Sequence, residues 1–355
     1  DPTNIYENYA VTDKADGEGQ ILYIPGGDIS EKYRGKVYLI NNINKVIFTG
    51  ICDKNLSYTV LNGEFIRTDY FDTKINTIYC YDAYFVNGID ITSLKLFDTN
   101  PDITTRLVKM NEIISKLSTI PSSYSIKSKE FIYGNNIYML SNTLWSNGVK
   151  EGSLFKTTNA LKNNYKLDGL IFTPSHPINK DKFGLTWHDN FKWKPSSENT
   201  IDFLIKIVDE NVKYKQIHLY CGCSIKINGS KQYIKKKFVI NDNHNIHTCF
   251  LEKDKFNNIV SKDNLPIKND SIVEFHYDIN SNKDLCYRWH PLRTRYDKTR
   301  EYKNGGNIYG NDIRTAENIW KNIHDSVTID DILKYDTRTG LRYGGYYNND
   351  RQGGK

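Results

Sequence analysis

The chain has 355 residues, of which 38% are hydrophobic and 25% are charged. This composition is typical of a folded globular protein and excludes an intrinsically disordered chain. The length suffices for two domains, and the net charge of +6 suits a polyanionic partner without demanding one. No run of about 18 apolar residues occurs, so we expect no membrane span and no membrane partner. The chain begins abruptly with the polar segment DPTNIYENYA, which we interpret as the start of a piece cut from a longer protein.

The first part of the chain is predicted to consist of short strands followed by a helix. Gly17, Gly63 and Gly88 are expected to form tight turns. The helix is predicted over 103–117, with Asp102 as its cap, because apolar residues recur there at helical spacing. The strand-like runs, rich in β-branched and aromatic residues, are ILYIP (21–25), KVYLIN (36–41), KVIFTGIC (45–52) and TIYCYDAYFV (77–86).

The second part of the chain starts with a weaker helix over 154–163 and returns to strands at 167–174 and 193–208. Beyond about residue 206 the runs become shorter, and Asn228-Gly229 between two alternating segments is a strong hairpin signal. With VEFHYD (273–278), this block predicts a small barrel. A last helix is expected over 312–324, and the Gly-rich end, 340–355, is typical of a linker.

Five charged runs occur in a fixed order and together supply a nucleophilic amine, acids for a ribose and a metal, and cations for a triphosphate. A lysine amine is protonated at neutral pH, so Lys14 needs neighbouring cations and partial burial to act as a nucleophile. Lys192 and Lys194, predicted to project from one face of a strand, would provide those cations and bind an α-phosphate. The runs are KADGEG (14–19), NGEFI (62–66), DGLIFTP (168–174), FKWKP (191–195) and WHPLRTRYDK (289–298).

Each run taken alone has an ordinary structural explanation. Glu64 would bind both ribose hydroxyls, or it is an exposed strand acid. Asp168 would hold a divalent cation, or it is a turn residue before a glycine. Arg293 and Arg295, expected on one strand face, would bind pyrophosphate, or they mark a basic strand that binds RNA. The basic run KQYIKKKF (231–238) is interpreted as a solvated face, although a phosphate backbone could use it.

A zinc site is a weaker interpretation of the cysteines. The C-x-C gap is shorter than the usual spacer between zinc ligands, and strand alternation alone would place its two cysteines on one face. We therefore favour reduced thiols packed in a core. The residues of this candidate set are Cys221, Cys223, His244, His247 and Cys249.

The five runs, together with YDAYFVNG (81–88), resemble the covalent nucleotidyltransferases, which comprise mRNA capping guanylyltransferases and ATP-dependent polynucleotide ligases. The chain is most similar to the capping enzymes of large cytoplasmic DNA viruses such as poxviruses, African swine fever virus and mimivirus relatives. DGLIFTP and the spacing W-x-x-x-R-x-R-x-D-K favour guanylyltransferase over ligase. The segment 310–323 resembles the one that precedes the methyltransferase in the viral multifunctional enzymes. Two departures are Gly19, where many relatives have a basic residue, and Asn62, where Asp is usual.

The resemblance implies an α+β nucleotidyltransferase domain of antiparallel sheets with helices, followed by an OB-fold β-barrel. This agrees with the change of pattern near residue 206. We therefore assign residues 1–205 to the nucleotidyltransferase domain, 206–310 to the OB-fold and 311–355 to a C-terminal helix and linker.

The resemblance also implies a role for each matched residue. Lys14 would carry GMP derived from GTP, Glu64 would bind the ribose, and Asp168 would hold Mg²⁺ or Mn²⁺ on the phosphates. Phe85 would pack against guanine, unless the neighbouring Tyr84 does so instead. GTP binding would further involve Asp16, Gly17, Lys192 and Lys194, and the groups that close over the β- and γ-phosphates would be Arg293, Arg295, Asp297 and Lys298.

The implied reaction gives Lys14-linked GMP and pyrophosphate, after which the GMP passes to the 5′-diphosphate end of RNA. The resemblance further implies triphosphatase and methyltransferase domains on the same full-length chain. It implies a cytoplasmic location, in a viral factory or a virion. Two alternatives stay open: an ATP-dependent polynucleotide ligase, and a non-catalytic copy of the fold that binds RNA or acts as a scaffold.

Overall fold

The computed structural model describes residues 8–28, 30–41, 44–69, 71–133, 165, 167–178, 189–240, 246–262, 264–328 and 331–332. The chain divides into two compact units: Asp1–Lys194 with Ile329–Lys355 form the first, and Pro195–Thr328 form the second. The helix predicted over 154–163 and the linker predicted over 340–355 lie outside the described residues.

The division between the units differs from the predicted boundary at residue 206. The strand Thr200–Glu210 runs unbroken across that position, so the chain cannot separate there. The preceding strand ends at Trp193 instead. Pro195, which has no N–H for a sheet ladder, is followed by the 3₁₀ turn Ser196–Glu198. The helix Ile313–His324, predicted to lie in a separate C-terminal part, belongs to the second unit and packs on its core.

The first unit is built from two sheets and one helix within the described ranges. The predicted strands at 21–25, 36–41, 45–52, 77–86 and 167–174 all correspond to observed strands. The observed strands are β1 (Tyr9–Ala15), β2 (Glu18–Ile24), β3 (Lys36–Asn41), β4 (Val46–Cys52), β5 (Thr59–Thr68), β6 (Lys74–Val86), β7 (Ile89–Asp90), β8 (Ser125–Ser128), β9 (Ile132–Tyr133), β10 (Leu167–Pro174) and β11 (Phe191–Trp193).

The two sheets of this unit share no strand, although they are joined by short turns. A four-stranded sheet has the order β11-β10-β1-β9. A seven-stranded sheet has the order β4-β3-β2-β5-β6-β7, and β8 pairs with β6 in parallel. Because β1 and β2 are consecutive in the chain but lie in different sheets, the turn at 16–17 leads from one sheet to the other.

The helix of the first unit, α1 (Arg106–Leu117), begins later than predicted. Its cap is Thr105 and not Asp102, because the Thr105 hydroxyl accepts a hydrogen bond from the backbone N–H of Val108 at 3.3 Å. The apolar face of the helix, including Met110 and Leu117, is buried in the main hydrophobic core of this unit. No helix within the described ranges is both long and apolar enough to cross a bilayer.

The glycines predicted to form turns have different roles in the structure. Gly88 lies in a turn with Asn87, and both residues have positive φ angles of 81° and 50°, as a tight hairpin requires. Gly63 lies inside β5, so the predicted turn there is wrong. An added Cβ at Gly63 would approach Cγ1 of Ile78 to 2.8 Å, so glycine is needed for the close packing of β5 on β6.

The second unit is an OB-fold barrel of short antiparallel strands, which confirms the predicted fold class. Its six-stranded sheet has the order β14-β13-β12-β16-β17, with β15 beside β13. The predicted Asn228-Gly229 turn is confirmed by φ angles of 50° and 81°. The elements are β12 (Thr200–Glu210), β13 (Tyr214–Ile227), β14 (Ser230–Lys237), β15 (Thr248–Glu252), β16 (Ile272–Tyr277), β17 (Trp289–Thr294), α2 (Tyr296–Lys303) and α3 (Ile313–His324).

Trp289 lies at the centre of the barrel core and is 1% exposed. Its ring packs edge-on against Phe203 at a centroid distance of 5.1 Å and lies 5.7 Å from Trp320 of α3. Its indole N–H donates to the backbone oxygen of Ile246 at 3.1 Å. One side chain therefore joins the strands of the barrel to helix α3.

We expect Trp289→Ala to destabilise the second unit by about 3–5 kcal/mol, because a large buried ring is replaced by a cavity and a hydrogen bond is lost. Urea unfolding followed by circular dichroism would measure this loss. Phe256→Ala is the matched control, since Phe256 is 72% exposed and its truncation should change stability by less than about 0.5 kcal/mol. Equal effects of the two substitutions would contradict this description of the core.

Candidate functional site

A cavity of about 300 Å³ lies in the first unit and is lined from both of its sheets. Four of the five charged runs contribute to it, as does YDAYFVNG (81–88). The lining residues are Thr12, Asp13, Lys14, Ala15, Asn62, Glu64, Tyr81, Asp82, Tyr84, Lys129, Phe131, Ile171, Thr173, Asn190 and Lys192.

Strand register places Lys14 and Lys192 on the same side of the four-stranded sheet. Thr12 on β1 pairs with Ile171 on β10, and Ile171 pairs on its other side with Lys192 on β11. Directly paired residues share a face, and so does a residue two positions along a strand. Lys14 therefore projects from the same face as Lys192, and both line the cavity.

Lys194 directly follows β11, which ends at Trp193, so its common face with Lys192 stays a prediction. Trp193 itself is buried, as expected for the opposite face. Lys194 is not among the described residues that line the cavity.

Gly169 allows β10 and the end of β11 to come together. It pairs with Lys14 across the sheet, and a Cβ added to it would overlap the backbone oxygen of Trp193. Any side chain at this position would therefore displace the strand that carries Lys192. Asp168 precedes this glycine in β10, but its side chain lies outside the described residues.

Glu64 reaches the cavity from β5 beside the turn that follows Lys14. A Cβ added to Gly17 would lie 2.7 Å from Cγ of Glu64 and 2.9 Å from the backbone oxygen of Phe65, so glycine leaves the space that the glutamate occupies. Asp16 is exposed in the same turn, and neither Asp16 nor Gly17 belongs to the described lining of the cavity.

Of the two residues considered for packing against a base, Tyr84 lines the cavity, and Phe85 is not among the described residues that line it. Two irregularities in the pairing of β5 with β6 leave Tyr81 and Tyr84 as extra residues, and both side chains point into the cavity. The ring of Phe85 is 38% exposed. The side-chain N–H of Asn62 donates to the Tyr84 hydroxyl at 2.8 Å.

The two cavity tyrosines stay neutral. Burial raises the pKa of Tyr81, and the nearby Tyr84 and Glu64 raise it further. Burial likewise raises the pKa of Tyr84, with a further increase from Asp82. Both hydroxyls therefore retain the proton that they could donate to a bound molecule.

A buried group of three polar residues holds the strand on which Lys14 lies, and the sequence reasoning missed it. Lys129 Nζ lies 2.9 Å from Oδ2 of Asp13 and 2.7 Å from its backbone oxygen. The Tyr165 hydroxyl donates to the same carboxylate at 2.7 Å. The side chains of Lys129 and Asp13 are only 3% and 8% exposed. The available signal was an acid directly before Lys14 at the end of an apolar strand.

A second buried ion pair supports the opposite wall of the cavity. Arg106, with no exposed surface, donates through Nε and Nη2 to the two carboxylate oxygens of Asp82 at 2.7 and 3.2 Å, and through Nη1 to the backbone oxygen of Leu94 at 2.6 Å. Burial raises the pKa of Asp82, and the Arg106 guanidinium opposes that effect. An acid inside the strand YDAYFV was the sequence signal for a buried partner.

The described cavity offers oxygen donors for a metal ion but not a complete cage. Within the described residues, no group of three or more His, Cys, Asp or Glu side chains is arranged to hold a metal. Glu64 lines the cavity, and the buried amide oxygen of Asn190 has no hydrogen-bond partner among the described residues. Mg²⁺ usually takes one or two carboxylates and completes its shell with substrate phosphates and water. Because Glu64 is assigned to the ribose, the amide oxygen of Asn190 is a described oxygen donor that fits a hard cation bound together with phosphates.

The cations of the last run lie in the second unit. Arg293 lies on β17, and its Nε donates to Glu274 at 2.6 Å. Arg295 precedes α2 and binds Asp202, which pairs directly with Glu274 across β12 and β16, so the two guanidiniums reach carboxylates on one face of the sheet. Burial raises the pKa of Glu274, but hydrogen bonds from Thr200 and Arg293 outweigh it and lower that pKa overall.

Arg295, Asp297 and Lys298 are brought together by Asp202, which the sequence reasoning missed. Arg295 Nη1 and Lys298 Nζ donate to the same Asp202 oxygen at 2.5 and 2.7 Å. Arg295 also donates to Asp297 at 3.2 Å. The Asp202 side chain is 7% exposed, whereas those of Arg295 and Lys298 are 26% and 24% exposed. The two cations therefore keep part of their surface open to a ligand.

The cysteines of the candidate zinc set lie in or beside the barrel core. Cys221 and Cys249 are fully buried, and burial raises the pKa of both thiols well above the usual value. Cys223, two positions from Cys221 on the same strand, is partly buried, and His247 is buried. His244 lies outside the described residues. The buried thiols are protonated and pack as small apolar groups.

Comparison with known protein families gives two matches that together span most of the chain. The family model described as the mRNA capping enzyme catalytic domain matches residues 5–196, which is more than half of the chain. The model described as the mRNA capping enzyme C-terminal domain matches residues 198–333. The gap between the matches, at residue 197, lies within three residues of Lys194, after which the two units divide.

The individual relatives are 24–27% identical to this chain and are longer than it. The probable mRNA-capping enzyme of Acanthamoeba polyphaga mimivirus is 26% identical over 92% of this chain and 31% of its own length. The mRNA-capping enzyme of African swine fever virus is 24% identical over 92% of this chain and 35% of its own length. The mRNA-capping enzyme of Caenorhabditis elegans is 27% identical over 57% of this chain and 30% of its own. The chain thus spans about a third of the length of these curated relatives.

Solved structures that resemble the chain include DNA ligases. A mycobacterial DNA ligase D complexed with ATP and MES has 11% identity and a TM-score of 0.39, with 81% of this chain and 89% of that chain covered. Chlorella virus DNA ligase-adenylate has 13% identity and a TM-score of 0.31, with 82% and 95% covered.

We expect Lys129→Met to destabilise the first unit by about 3–5 kcal/mol, because it leaves the buried carboxylate of Asp13 without its cation. The double variant Lys129→Met, Asp13→Asn should recover much of this loss, since no unpaired charge stays buried. Urea unfolding of both variants and of Asp13→Asn alone completes a double-mutant cycle. Additive effects would contradict a direct coupling between the two groups.

Proposed function

The chain belongs to the mRNA capping enzyme family, and on that premise we propose that it is an mRNA guanylyltransferase with Lys14 as its nucleophile. The observation that carries the proposal is the common cavity of Lys14, Lys192 and Glu64. An amine, a phosphate-binding cation and a carboxylate are the groups needed to transfer a nucleotide to the protein. The strands that hold them are fixed by sheet pairing and by two buried ion pairs.

In the first step, Nζ of Lys14 attacks the α-phosphorus of GTP. The P–N bond forms as the bond to the β-phosphate oxygen breaks, pyrophosphate leaves, and the amine releases its proton. Lys192 projects from the same sheet face and would stabilise the negative charge that develops on the α-phosphate.

The nucleoside would be held by the opposite wall of the cavity. Glu64 would accept hydrogen bonds from the ribose hydroxyls, and Tyr84 would offer its ring and its hydroxyl to the base. We propose that Asp168 and the substrate phosphates hold Mg²⁺ or Mn²⁺, which when bound would neutralise charge on the triphosphate. Asn190, whose buried amide oxygen has no hydrogen-bond partner among the described residues, lines the same cavity as Glu64 and Tyr84.

In the second step, the GMP would pass from Lys14 to the 5′-diphosphate end of RNA.

For the first step, we further propose that the partly exposed cations of the second unit, Arg293, Arg295 and Lys298, bind the β- and γ-phosphates of GTP before pyrophosphate leaves. The greater length of the curated relatives supports further domains on the full-length chain, which we propose to be a triphosphatase and a methyltransferase.

We expect Lys14→Ala to abolish the covalent label that the protein takes from α-labelled GTP, because the only proposed nucleophile is removed. Lys14→Arg should be equally inactive, since a guanidinium keeps the charge but is not deprotonated. Lys192→Ala should keep the acceptor but slow labelling by roughly 10²–10³-fold, as expected when a group that stabilises developing charge is lost. The labelled protein should be separated on denaturing gels, and the label that remains on it should be compared after treatment with acid and with alkali. A label retained in Lys14→Ala would refute the assignment.

We expect the wild-type protein to take label from α-labelled GTP in preference to α-labelled ATP. The two nucleotides should be offered side by side with Mg²⁺ or Mn²⁺, and again after chelation of the metal, which should stop labelling. Preferential adenylylation would indicate a polynucleotide ligase instead. Absence of label from either nucleotide, with folding verified by circular dichroism, would indicate a non-catalytic copy of the fold.

A further inference from the structure

The β13–β14 hairpin of the second unit has a charge pattern that the proposed reaction does not use. Residues 211–241 contain no aspartate or glutamate, whereas lysines occur on both strands and form the run 235–237. A soluble protein surface usually mixes charges of both signs. A segment of this length with charge of one sign therefore needs an explanation.

The register of the hairpin sorts its residues onto two faces. Cys221 and Phe238 are buried in the barrel core, so residues of the same parity lie on the inner face. The outer face, which we call the lysine–tyrosine face, consists of the directly paired residues Lys226 and Lys231, Ser224 and Tyr233, Gly222 and Lys235, and Tyr220 and Lys237. Along β14 this face thus presents Lys231, Tyr233, Lys235 and Lys237 at steps of about 7 Å.

The tyrosines of this face belong to a larger group of aromatic rings. Tyr233 stacks on Tyr309 at a centroid distance of 5.9 Å and an interplanar angle of 23°. Tyr309 in turn contacts the ring of Tyr302 at 5.9 Å. Lys235 Nζ lies 5.9 Å from the centre of the Tyr220 ring. Half-buried rings of this kind are held in place, yet keep part of their surface open to solvent.

The arrangement is costly for the isolated protein. Lys226 and Lys231 lie directly opposite each other, and like charges at such positions destabilise a sheet. Nearby acids are already engaged: Asp270 pairs with Lys206, and Asp312 caps helix α3 and forms a side-chain hydrogen bond with Tyr233 of this face. A bound polyanion would remove the repulsion.

Protection of a sheet edge explains only part of the pattern. Strand β14 lies at the edge of its sheet, and lysines on edge strands prevent pairing with other chains. That role requires charge on the strand but does not require tyrosine rings on the same face. Cations combined with aromatic rings on one surface are typical of proteins that bind single-stranded nucleic acid.

We propose that the lysine–tyrosine face binds single-stranded RNA, with lysines on the phosphates and tyrosine rings stacked on bases. β13 and β14 are the second and third strands of the barrel, and OB-folds bind oligonucleotides on the face of these strands. The face from Lys231 to Lys237 is about 20 Å long, which is enough for several nucleotides. The proposal concerns the body of the RNA and not its 5′ end, so it does not depend on the proposed reaction.

The test measures the affinity of the whole chain for a fluorescent, unstructured RNA of about 12 nucleotides with a 5′-hydroxyl, at several salt concentrations, by anisotropy. Each lysine that contacts a phosphate contributes about 0.7 to the slope of log affinity against log salt. We expect Lys231→Ala and Lys235→Ala each to reduce the slope by about this amount. We expect Tyr309→Ala to weaken binding about tenfold and Tyr309→Phe, which keeps the ring, to bind like the wild type.

Lys236→Ala is the matched control, because Lys236 pairs with Cys221 and so lies on the same strand but on the opposite face. It removes the same charge and should leave the slope unchanged. An equal reduction by Lys236→Ala, or unchanged binding in both the lysine and the Tyr309→Ala variants, would overturn the proposal. Circular dichroism and thermal midpoints verify that each variant is folded.

Labelling by GTP separates this proposal from the proposed function. The hairpin variants should take covalent GMP like the wild type, because none of their residues lies in the cavity. A chain that takes no label but loses RNA affinity as expected would refute the guanylyltransferase and support the RNA-binding face. A chain that is labelled normally but shows no effect of the hairpin substitutions on RNA binding would support the guanylyltransferase and refute the RNA-binding face.

Discussion

The antiparallel pairing of β1 with β10 determines where the groups of the candidate site lie. It sets Lys14 opposite Gly169, and β10 passes the same register to β11 and Lys192. A shift of one residue in either ladder would turn one of the two lysines to the other face of the sheet. The glycine is needed because the backbone of Trp193 leaves no space for a Cβ. The relative positions of Lys14 and Lys192 are therefore set by the spacing of the backbone strands.

Two buried ion pairs fix the walls that this register brings together. Charges removed from water are costly, and pairing recovers that cost only when the geometry is good. Both pairs meet this condition, since Asp82 receives two bonds from Arg106, and Asp13 receives bonds from Lys129 and Tyr165. The acids adjoin cavity residues in the sequence, so the rigidity of each pair is transmitted directly to the lining.

Much of the fold and the identity of the four cavity runs could be predicted because local patterns determine them. Alternating apolar residues give the strands, and Asn228-Gly229 gives its hairpin. The rest depended on contacts distant in sequence. Asp202, far from the last run in the chain, holds Arg295 and Lys298 together, and its strand partner Glu274 holds Arg293 on the same sheet face. The end of β11 at Trp193 is likewise not visible in a run of alternating residues, so the common face of Lys192 and Lys194 stays a prediction.

The choice between Tyr84 and Phe85 could not be made from periodicity, because β6 is irregular where it meets β5. Two of its three irregularities, at Tyr81 and Tyr84, each add one residue to β6 and reverse which face the adjoining side chains occupy, so that together these two restore the original alternation. One consequence concerns how such a strand can change in length. Loss of either extra residue alone would move the side chains between them to the opposite face of the sheet. Loss of both would keep those side chains on their present face. Insertions and deletions in this strand among homologous chains should therefore occur in pairs.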